Sequence, residues 1–315
     1  MIEWATWWTV TIDRWKSEGL PEELTEITDI TEYFGLDVTK QFWLRAKSPD
    51  CPVPSSHGAA LINSPAEYQK FKDENLLFPE TSFDENELAK WQTIVQTGNS
   101  VIWATIDGFF WFPRALLGIE KHMYAFYDCP ELMHQMNQDL VDYYLAQWKK
   151  FTAIATPAFM TFAEDMSYNH GPMLSKDMFD EFLAPYYNQI IDAIKEKGTK
   201  VFVDSDGDVT ALIPWLKSVG VEGILPLERM AGVDVAQIRA DHPEFLMIGG
   251  FDKTIMHKGK DAMRAEFERL LPTMQKGGFI PSVDHQTPPD VSLQCYKDYI
   301  ELYKEYAKRG LCIKS

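Results

Sequence analysis

Three aspartates fall within five positions of the segment KVFVDSDGDV, directly after a short apolar run. Asp204, Asp206 and Asp208 fit positions one, three and five of a calcium-binding loop. Such a loop needs Gly at position six and Glu at position twelve, but this chain has Val209 and Trp215 there. The pattern therefore argues against a calcium loop. Two interpretations stay open, a solvated loop and a group of carboxylates at the mouth of an enzyme pocket.

Further acidic residues and one histidine end other apolar runs. Glu164 and Asp165 end AFMTFAED, and Glu228 ends GILPLE. Asp284 and His285 end GGFIPSVDH. Two adjacent carboxylates at the end of an apolar strand repel each other unless one is protonated, paired or bound to a metal. Carboxylates together with an imidazole can act as general acids and bases or hold a divalent ion.

The apolar runs alternate with helical patterns along the chain. The runs are short and bounded by Gly, Pro or charged residues, which is typical of buried parallel strands. They cover residues 100–107, 158–165, 200–206, 223–228, 245–252 and 277–285. The helical patterns, several of which close on Gly, cover residues 130–151, 175–198, 259–278 and 292–310.

Weaker strand patterns at 41–47 and 58–63 bring the number of strands to eight. Eight strands alternating with helices predict an α/β fold, a single (β/α)8 TIM barrel. An open doubly wound sheet is the alternative, but no GxGxxG or GxxxxGK motif follows a strand. We expect one domain over 1–315, with an aromatic-rich N-terminal extension and the first strands in 1–99 and the core barrel in 100–315. The strand ends of a barrel converge on one face, so the acids and His285 should meet there.

Composition and charge exclude several partners. The chain has 315 residues and a net charge of −17, from 30 basic and 47 acidic residues, which would repel nucleic acid and anionic lipid. No stretch reaches the ~20 apolar residues of a membrane span, and the first residues do not have the pattern of a signal peptide. Four scattered cysteines, without metal-binding spacing, are typical of reduced thiols: Cys51, Cys129, Cys295 and Cys312. We expect a cytoplasmic protein, and the aromatic surplus allows a homodimer.

Aromatic residues and two basic side chains add candidates for substrate binding. Trp111 and Arg114 lie in DGFFWFPR, whose rings either pack in the core or form a wall around a flat organic substrate. Arg114 can pair with a substrate carboxylate or with an acid such as Glu120. His170 lies on the loop after a strand and either lines the pocket or stays on the surface.

Several long segments together resemble the uroporphyrinogen decarboxylase superfamily. They are RWKSEGLP…EYFGLD, FFWFPRALLGIEKHMYAFYDCPEL, EDMSYNHGPMLS, VDSDGDV…LIPWLKSVGVEGILPLERMAGVDV, IGGFDK and GGFIPSVDHQTPPDVSLQCYKDYIELYKEY. The resemblance covers nearly the whole chain and is densest after residue 100. It implies a single-domain (β/α)8 barrel and one of two chemistries. One branch decarboxylates the acetate arms of a tetrapyrrole without a cofactor, and the other moves methyl groups between small molecules and the cobalt of a corrinoid protein.

The sequence departs from two branches of that superfamily. The decarboxylases carry a stretch like PxWxMRQAGR whose arginines bind the substrate carboxylates, and this chain has none. A ring of acids would also repel a polycarboxylate. Thiol-directed methyltransferases bind zinc through His-x-Cys and a distant Cys, whereas this chain has Asp204-Ser205-Asp206 where that pair is expected. The resemblance therefore favours a methyltransferase that takes a methyl group from a methoxy-aromatic or methylamine donor and gives it to a corrinoid protein.

This resemblance assigns roles to the candidate residues. The catalytic residues are expected to be Asp204, Asp206, His285 and Glu164. The substrate would contact Trp111, Arg114, Asp165, His170 and Asp284. A zinc ion would be held by Glu164, Asp206, Glu228 and His285, although the same groups can act without a metal, as hydrogen-bonding groups. Two other functions stay open: a carboxy-lyase acting on a small acid, and a non-catalytic ligand-binding barrel.

Overall fold

The computed structural model describes residues 1–98 and 100–311. Seven of its strands form one sheet, and two short strands, β4 and β5, pair separately as an antiparallel ribbon. The strands in chain order are β1 (Val38–Leu44), β2 (Ser100–Asp107), β3 (Phe159–Ala163), β4 (Ser167–Tyr168), β5 (Gly171–Pro172), β6 (Lys200–Asp204), β7 (Gly223–Leu225), β8 (Leu246–Phe251) and β9 (Phe279–Val283).

Helices follow or precede the strands of the sheet. They are α1 (Thr9–Ser17), α2 (Ile27–Tyr33), α3 (Pro65–Asp73), α4 (Glu85–Val95), α5 (Trp111–Leu117), α6 (Ile119–Asp128), α7 (Pro130–Ile154), α8 (Lys176–Phe182), α9 (Ala184–Lys195), α10 (Ile213–Ser218), α11 (Val235–Asp241), α12 (Lys260–Met274) and α13 (Leu293–Arg309). Two 3₁₀ helices cover Arg229–Ala231 and Lys253–Lys258. Among these described helices, none combines the length and the apolar character that a bilayer crossing requires.

The large sheet is parallel throughout, and its strands are neighbours in the order in which the chain makes them, β1-β2-β3-β6-β7-β8-β9. The sheet is curled, so all its carboxyl ends lie at one open end. The six strand predictions after residue 99 are confirmed, and the first strand lies at Val38–Leu44, three residues earlier than predicted. An α/β fold of the barrel type is therefore confirmed, with seven hydrogen-bonded strands within the described residues.

The predicted strand at 58–63 is wrong. The amides of Leu61 and Ile62 instead donate hydrogen bonds to the carbonyl of Leu116, at 2.8 and 3.1 Å. The last turn of a helix leaves carbonyl groups without partners, and this segment supplies donors to the end of α5. Its apolar residues pack against a helix end, so the periodicity of the segment was misleading.

The first residues of the chain lie between the two edges of the sheet. The carbonyl of Met1 accepts a hydrogen bond from the amide of Asp37 at 2.8 Å, just before β1. Across the gap, the amide of Trp4 donates to the hydroxyl of Ser282 at 3.2 Å, and its indole donates to the carbonyl of Val283 at 2.7 Å. Seven strands and this segment therefore surround the interior, and the prediction of eight strands is wrong by one.

Side chains alternate between the two sides of the curled sheet, as the period of a strand requires. In β1, Phe42 and Leu44 join the main core between sheet and helices, whereas Trp43 lines the interior. In β2, the indole of Trp103 points inward and donates to the hydroxyl of Thr161 at 2.9 Å. A second, smaller apolar cluster fills the interior: Trp103, Phe159, Phe202, Leu225 and Ile248. Burial of each large apolar side chain stabilises the fold by about 1.5–3 kcal/mol. This cluster therefore forms a stable base below the open end of the sheet.

Candidate active site

Three side chains from different strand ends meet at the open end of the sheet. Asp206 follows β6, Glu228 follows β7 and His285 follows β9. One carboxylate or imidazole atom of each lies within 4.8 Å of the others. The Nε2 atom of His285 lies 3.7 Å from Oδ2 of Asp206. These three residues, called the acid–histidine cluster below, were predicted from sequence to meet, and the structure brings them together.

The backbone around Asp206 holds Glu228 in place. The amide of Gly207 donates to Oε2 of Glu228 at 3.0 Å, and Oε1 of the same carboxylate forms a 3.1 Å ion pair with Lys253. Gly207 has a φ of 83°, and a Cβ atom there would lie 2.6 Å from the backbone of Tyr168. Only glycine fits this close approach, which fixes the turn that carries Asp206.

Lys253 belongs to this site although the sequence reasoning did not select it. It follows β8, and its ammonium group is the cation nearest to Glu228 in the described residues. The signal was present in the motif IGGFDK, which places a lysine directly after a strand end of the predicted barrel. Lysine at the start of a 3₁₀ helix reads equally well as a surface residue, so the pattern alone did not single it out.

Charge repulsion and burial dominate the electrostatics of the cluster. Burial raises the pKa of Asp206 to about 7, and the nearby carboxylates of Asp165 and Glu228 add to that rise. The pKa of Asp204 is raised well above its ordinary value by burial, and then by the charges of Asp165 and Asp206. Burial lowers the pKa of His285, and the ammonium group of Lys253 lowers it further. At neutral pH the imidazole is therefore neutral, and the carboxyl of Asp206 is partly protonated.

Asp165 and Asp204 complete the acidic group. Asp165 has a φ of 41°, unusual for a residue other than Gly, and its Oδ1 accepts from the amide of Asp206 at 3.4 Å. The guanidinium of Arg114 donates to the backbone carbonyl of Asp165 at 2.8 Å. Burial raises the pKa of Asp165, although Arg114 and His285 oppose the rise. Asp165 and Asp204 line the same cavity as Asp206.

Glu164 does not join the cluster, and its predicted roles as catalytic group and metal ligand are corrected here. Its buried carboxylate accepts hydrogen bonds from three consecutive amides, those of residues 109–111, at 2.7–3.1 Å, and another from the hydroxyl of Tyr187. The amides belong to the start of α5, which would otherwise lack acceptors. A Cβ atom on Gly108 would lie 2.0 Å from the Glu164 carboxyl carbon, so the backbone encloses this group. Burial raises its pKa to about 7.

Asp284 is also held by backbone amides rather than being free to contact a substrate. Its Oδ2 accepts from the amide of Arg229 at 2.8 Å and its Oδ1 from the amide of Lys253 at 3.1 Å. Burial raises the pKa of Asp284 to about 6. The carboxylate thus ties together the loops after β7, β8 and β9, which positions the neighbouring His285. The structure thus gives Asp284 a positioning contact with two backbone amides, and its substrate contact stays a prediction.

A cavity of about 290 Å³ opens beside the cluster. Its walls include Asp206 and His285 together with three indoles, those of Trp4, Trp43 and Trp103. The ring of Trp4 meets His285 edge-on, with 6.2 Å between the ring centroids. From the sequence, the aromatic N-terminal region, which includes Trp4, was expected to shape the donor pocket, but Trp43 and Trp103 were not selected. The alternation of side chains along β1 and β2 could have indicated these two residues.

Three predicted substrate contacts lie outside this cavity. Trp111 and Arg114 line a neighbouring cavity of about 340 Å³. His170 is exposed on the loop after β4, where its ring meets Tyr168 edge-on with 5.7 Å between the centroids. The cavity beside the cluster is therefore shaped by acids and indoles rather than by these three residues.

Sequence comparison places this arrangement among known proteins. The family model described as uroporphyrinogen decarboxylase (URO-D) matches residues 113–306. The chain belongs to the URO-D family. Within the family, it is 22% identical over 187 residues to a uroporphyrinogen decarboxylase of Ruthia magnifica, covering 58% of this chain and 52% of that protein. It is 26% identical over 139 residues to a uroporphyrinogen decarboxylase of Pelodictyon phaeoclathratiforme, covering 42% of this chain and 38% of that protein.

One solved structure shares the fold of this URO-D family chain. A methyltransferase from Methanosarcina mazei superposes with a TM-score of 0.59 and 13% sequence identity, over 97% of this chain and 95% of that one. At this identity the likeness shows the fold alone. The chain spans about half the length, or less, of the curated relatives it matches. The match over residues 113–306 therefore establishes membership of the URO-D family.

The acid–histidine cluster of this URO-D family member fits a divalent ion in its donor set. Two carboxylates and one neutral imidazole are ligands that zinc accepts, with a fourth position left for water or substrate. A cation there would also relieve the repulsion that raises the pKa of Asp206. The ammonium group of Lys253 already neutralises part of the charge of Glu228 and would oppose a second cation nearby. The three ligands fit zinc, and the charge of Lys253 would weaken the affinity of the cluster for the ion.

Proposed function

We propose that this chain is a methyltransferase of the URO-D family that moves a methyl group from a small methylated donor to the cobalt of a corrinoid protein. The donor is of the methoxy-aromatic or methylamine type. The proposal rests on the residues that line the cavity beside the cluster. Its described lining residues include Asp165, Asp204, Asp206 and three indoles but no Arg or Lys. A substrate with many carboxylates finds no cationic partner on these walls, whereas a neutral or cationic methyl donor is not repelled.

The chemistry of methyl transfer needs a proton at the leaving atom. The bond between methyl carbon and oxygen or nitrogen breaks, and the carbon takes its new bonding pair from cobalt(I). The heteroatom leaves with the old bonding pair; an ether oxygen or an uncharged nitrogen then needs a proton from a neighbouring acid, whereas a nitrogen that is already cationic leaves as a neutral amine. Asp206 suits this role, because a pKa of about 7 keeps much of the carboxyl protonated at neutral pH. Proton transfer from Asp206 to the heteroatom would complete the balance of the reaction.

His285 and Glu228 would assist Asp206 in this site. The neutral imidazole of His285 lies 3.7 Å from Asp206 and can hold the carboxyl in position. If zinc is bound, Asp206, Glu228 and His285 would hold it, Asp206 would be deprotonated, and the ion would supply Lewis acidity at the leaving heteroatom in place of the Asp206 proton. The indoles of Trp4, Trp43 and Trp103 would exclude water and enclose the methyl group.

A direct assay tests the proposal. Purified protein is incubated with cob(I)alamin and a panel of aryl methyl ethers and methylamines, and methylcobalamin is followed by absorbance. We expect methylcobalamin to form with at least one donor, at a rate proportional to protein concentration. Absence of methylcobalamin with every donor, both before and after supplementation with zinc, would contradict the proposal.

A carboxy-lyase acting on a small acid is the second candidate. It is favoured by one observation, that both curated relatives described above are uroporphyrinogen decarboxylases. This function predicts release of carbon dioxide from a small acid without cobalamin. A non-catalytic barrel predicts neither reaction and only saturable ligand binding. Parallel measurements of carbon dioxide and methylcobalamin therefore separate the three functions.

A further inference from the structure

Two connected cavities beside the acidic one carry the opposite charge. One, of about 340 Å³, is lined by Lys47, His57 and Arg114. The other, of about 440 Å³, is lined by Arg45 and shares Lys47 and Pro54 with the first. We call the two together the basic groove. Among its described lining residues there is no Asp or Glu.

This charge pattern is unusual for the chain. There are 47 acidic residues and the net charge is −17, yet both cavities exclude carboxylates. In the part of the chain that the structure describes, Arg45, Lys47 and Arg114 have no carboxylate oxygen within 4.0 Å. Arg45 instead stacks on the ring of Trp43, 4.0 Å from its centroid, and Arg114 donates to a backbone carbonyl. Lys47 and Arg114 are partly buried, whereas Arg45 is exposed, and partly buried cations without a carboxylate in contact favour an anionic ligand.

The other residues that line the groove indicate the chemistry of the rest of that ligand. Around Lys47 and Arg114 the first cavity is closed by Trp111, Ala115 and Ile119. These apolar surfaces gain nothing from a small hydrated ion, but they favour a ligand with an apolar body. The indole of Trp111 faces the guanidinium of Arg114, with 5.3 Å between the guanidinium carbon and the ring centroid, which leaves a flat and cationic corner.

We propose that the basic groove binds a small organic anion, with a carboxylate against Lys47 and Arg114 and an apolar body against Trp111. The groove adjoins the acidic cavity at two points, because Trp43 lines both and Arg114 donates to the carbonyl of Asp165. A bound anion would therefore lie beside the wall of the acidic cavity. The inference does not depend on the proposed methyl transfer, and a binding assay tests it alone.

The test uses calorimetric titration of the full chain with three probes: benzoate, its neutral isostere benzamide, and inorganic phosphate. We expect benzoate to bind saturably and more tightly than phosphate, benzamide to bind more weakly than benzoate, and added salt to weaken benzoate binding. The Lys47→Gln and Arg114→Gln variants should each lose benzoate affinity by about tenfold, because the carboxylate contacts both side chains. The exposed Lys197 provides the matched control, because Lys197→Gln should bind benzoate as the wild type does.

Four results would overturn the inference. Equal affinity for benzamide and benzoate would show that the charge of the carboxylate does not contribute to binding. Unchanged benzoate affinity in Lys47→Gln, with a far-ultraviolet circular dichroism spectrum that matches the wild type, would remove the groove as the site. Phosphate binding as tightly as benzoate would show that the apolar body of the ligand does not contribute to its affinity. A wild type without saturable benzoate binding would equally count against it, whatever the methyltransferase assay gives.

Discussion

The Nε2 atom of His285 lies 3.7 Å from Oδ2 of Asp206, although the two residues follow different strands. Their proximity follows from the curled parallel sheet, in which β6 and β9 both end at the open end. Glu228 enters the same group from the end of β7. A short region of the molecule thus holds a carboxyl group with a raised pKa beside a neutral imidazole, which is a suitable pair for proton transfer.

Metal content is expected to depend on this cluster. We expect the wild type, loaded with zinc and dialysed, to retain about one ion per chain, because three protein ligands and an open position suffice. Glu228→Gln and His285→Ala should each reduce the bound zinc at least tenfold, as loss of one ligand of three requires. Elemental analysis by mass spectrometry measures the content. His257→Ala, at an exposed histidine outside the cluster, is the control; if it loses as much zinc as His285→Ala, the metal lies elsewhere.

Glu164 is expected to stabilise the fold rather than the reaction. Glu164→Gln replaces one buried acceptor with a donor that faces backbone amides, so it should lower the free energy of unfolding by about 1–3 kcal/mol. Urea denaturation followed by circular dichroism measures this loss. The exposed Glu196 serves as a control, because Glu196→Gln should change the unfolding free energy by less than about 0.5 kcal/mol. Equal stability of the two variants would show that the amide contacts of Glu164 contribute nothing.

Gly108 is expected to tolerate no side chain while Glu164 is present. The Cβ atom of Gly108→Ala would lie 2.0 Å from the Glu164 carboxyl carbon, so one of the two must shift. We expect Gly108→Ala to lower the thermal midpoint of unfolding. In a Glu164→Ala background, Gly108→Ala should lower the thermal midpoint of unfolding by much less, because the clashing carboxyl atoms are absent. Strictly additive effects in this double-mutant cycle would disprove a direct clash.

Stability should fall as pH rises because of Glu3. Burial raises the pKa of this carboxyl to about 8, and its Oε1 accepts from the hydroxyl of Tyr299 at 2.6 Å. In the unfolded chain the group titrates at its ordinary value of 4.5. The stabilisation is therefore complete below pH 4.5 and is lost as the pH rises to about 8, since only the unfolded chain releases the proton in that window.

The Glu3→Gln variant isolates this effect because its side chain does not titrate. Its unfolding free energy, measured against that of the wild type, should increase between pH 5 and 8 by about 3–4 kcal/mol. Urea denaturation at several pH values provides the measurement. Glu23→Gln, at an exposed position, should track the wild type at every pH. A constant difference between Glu3→Gln and wild type across this range would contradict the raised pKa.

The strand ends of the sheet could be predicted from sequence, because buried parallel strands leave apolar runs that polar residues terminate. That pattern is sufficient to predict that Asp206, Glu228 and His285 share one face of the barrel. The structure of the first hundred residues was harder to predict. The apolar segment at 58–63 packs against a helix end, and the gap between β9 and β1 is filled by residues 1–5, which have no strand pattern of their own.

The roles of individual carboxylates could not be predicted from their positions. Glu164 and Asp284 end strands just as Asp206 does, yet both turn toward backbone amides of neighbouring loops. That choice depends on which amides lack partners, and such a vacancy arises only when loops from distant parts of the chain are assembled. The same argument explains Lys253, whose position beside Glu228 depends on the geometry of two loops.

The most direct measurement of the central claim is single-turnover transfer of methyl to cob(I)alamin by wild type and two variants, with a donor that the panel has identified. Asp206→Asn removes the proton and His285→Ala removes its partner, so each should slow methylcobalamin formation by about 10²–10⁴-fold while the circular dichroism spectrum is unchanged. His257→Ala should react as the wild type does. If Asp206→Asn and His285→Ala form methylcobalamin at the wild-type rate, the cluster at the open end of the sheet is not where the chemistry occurs.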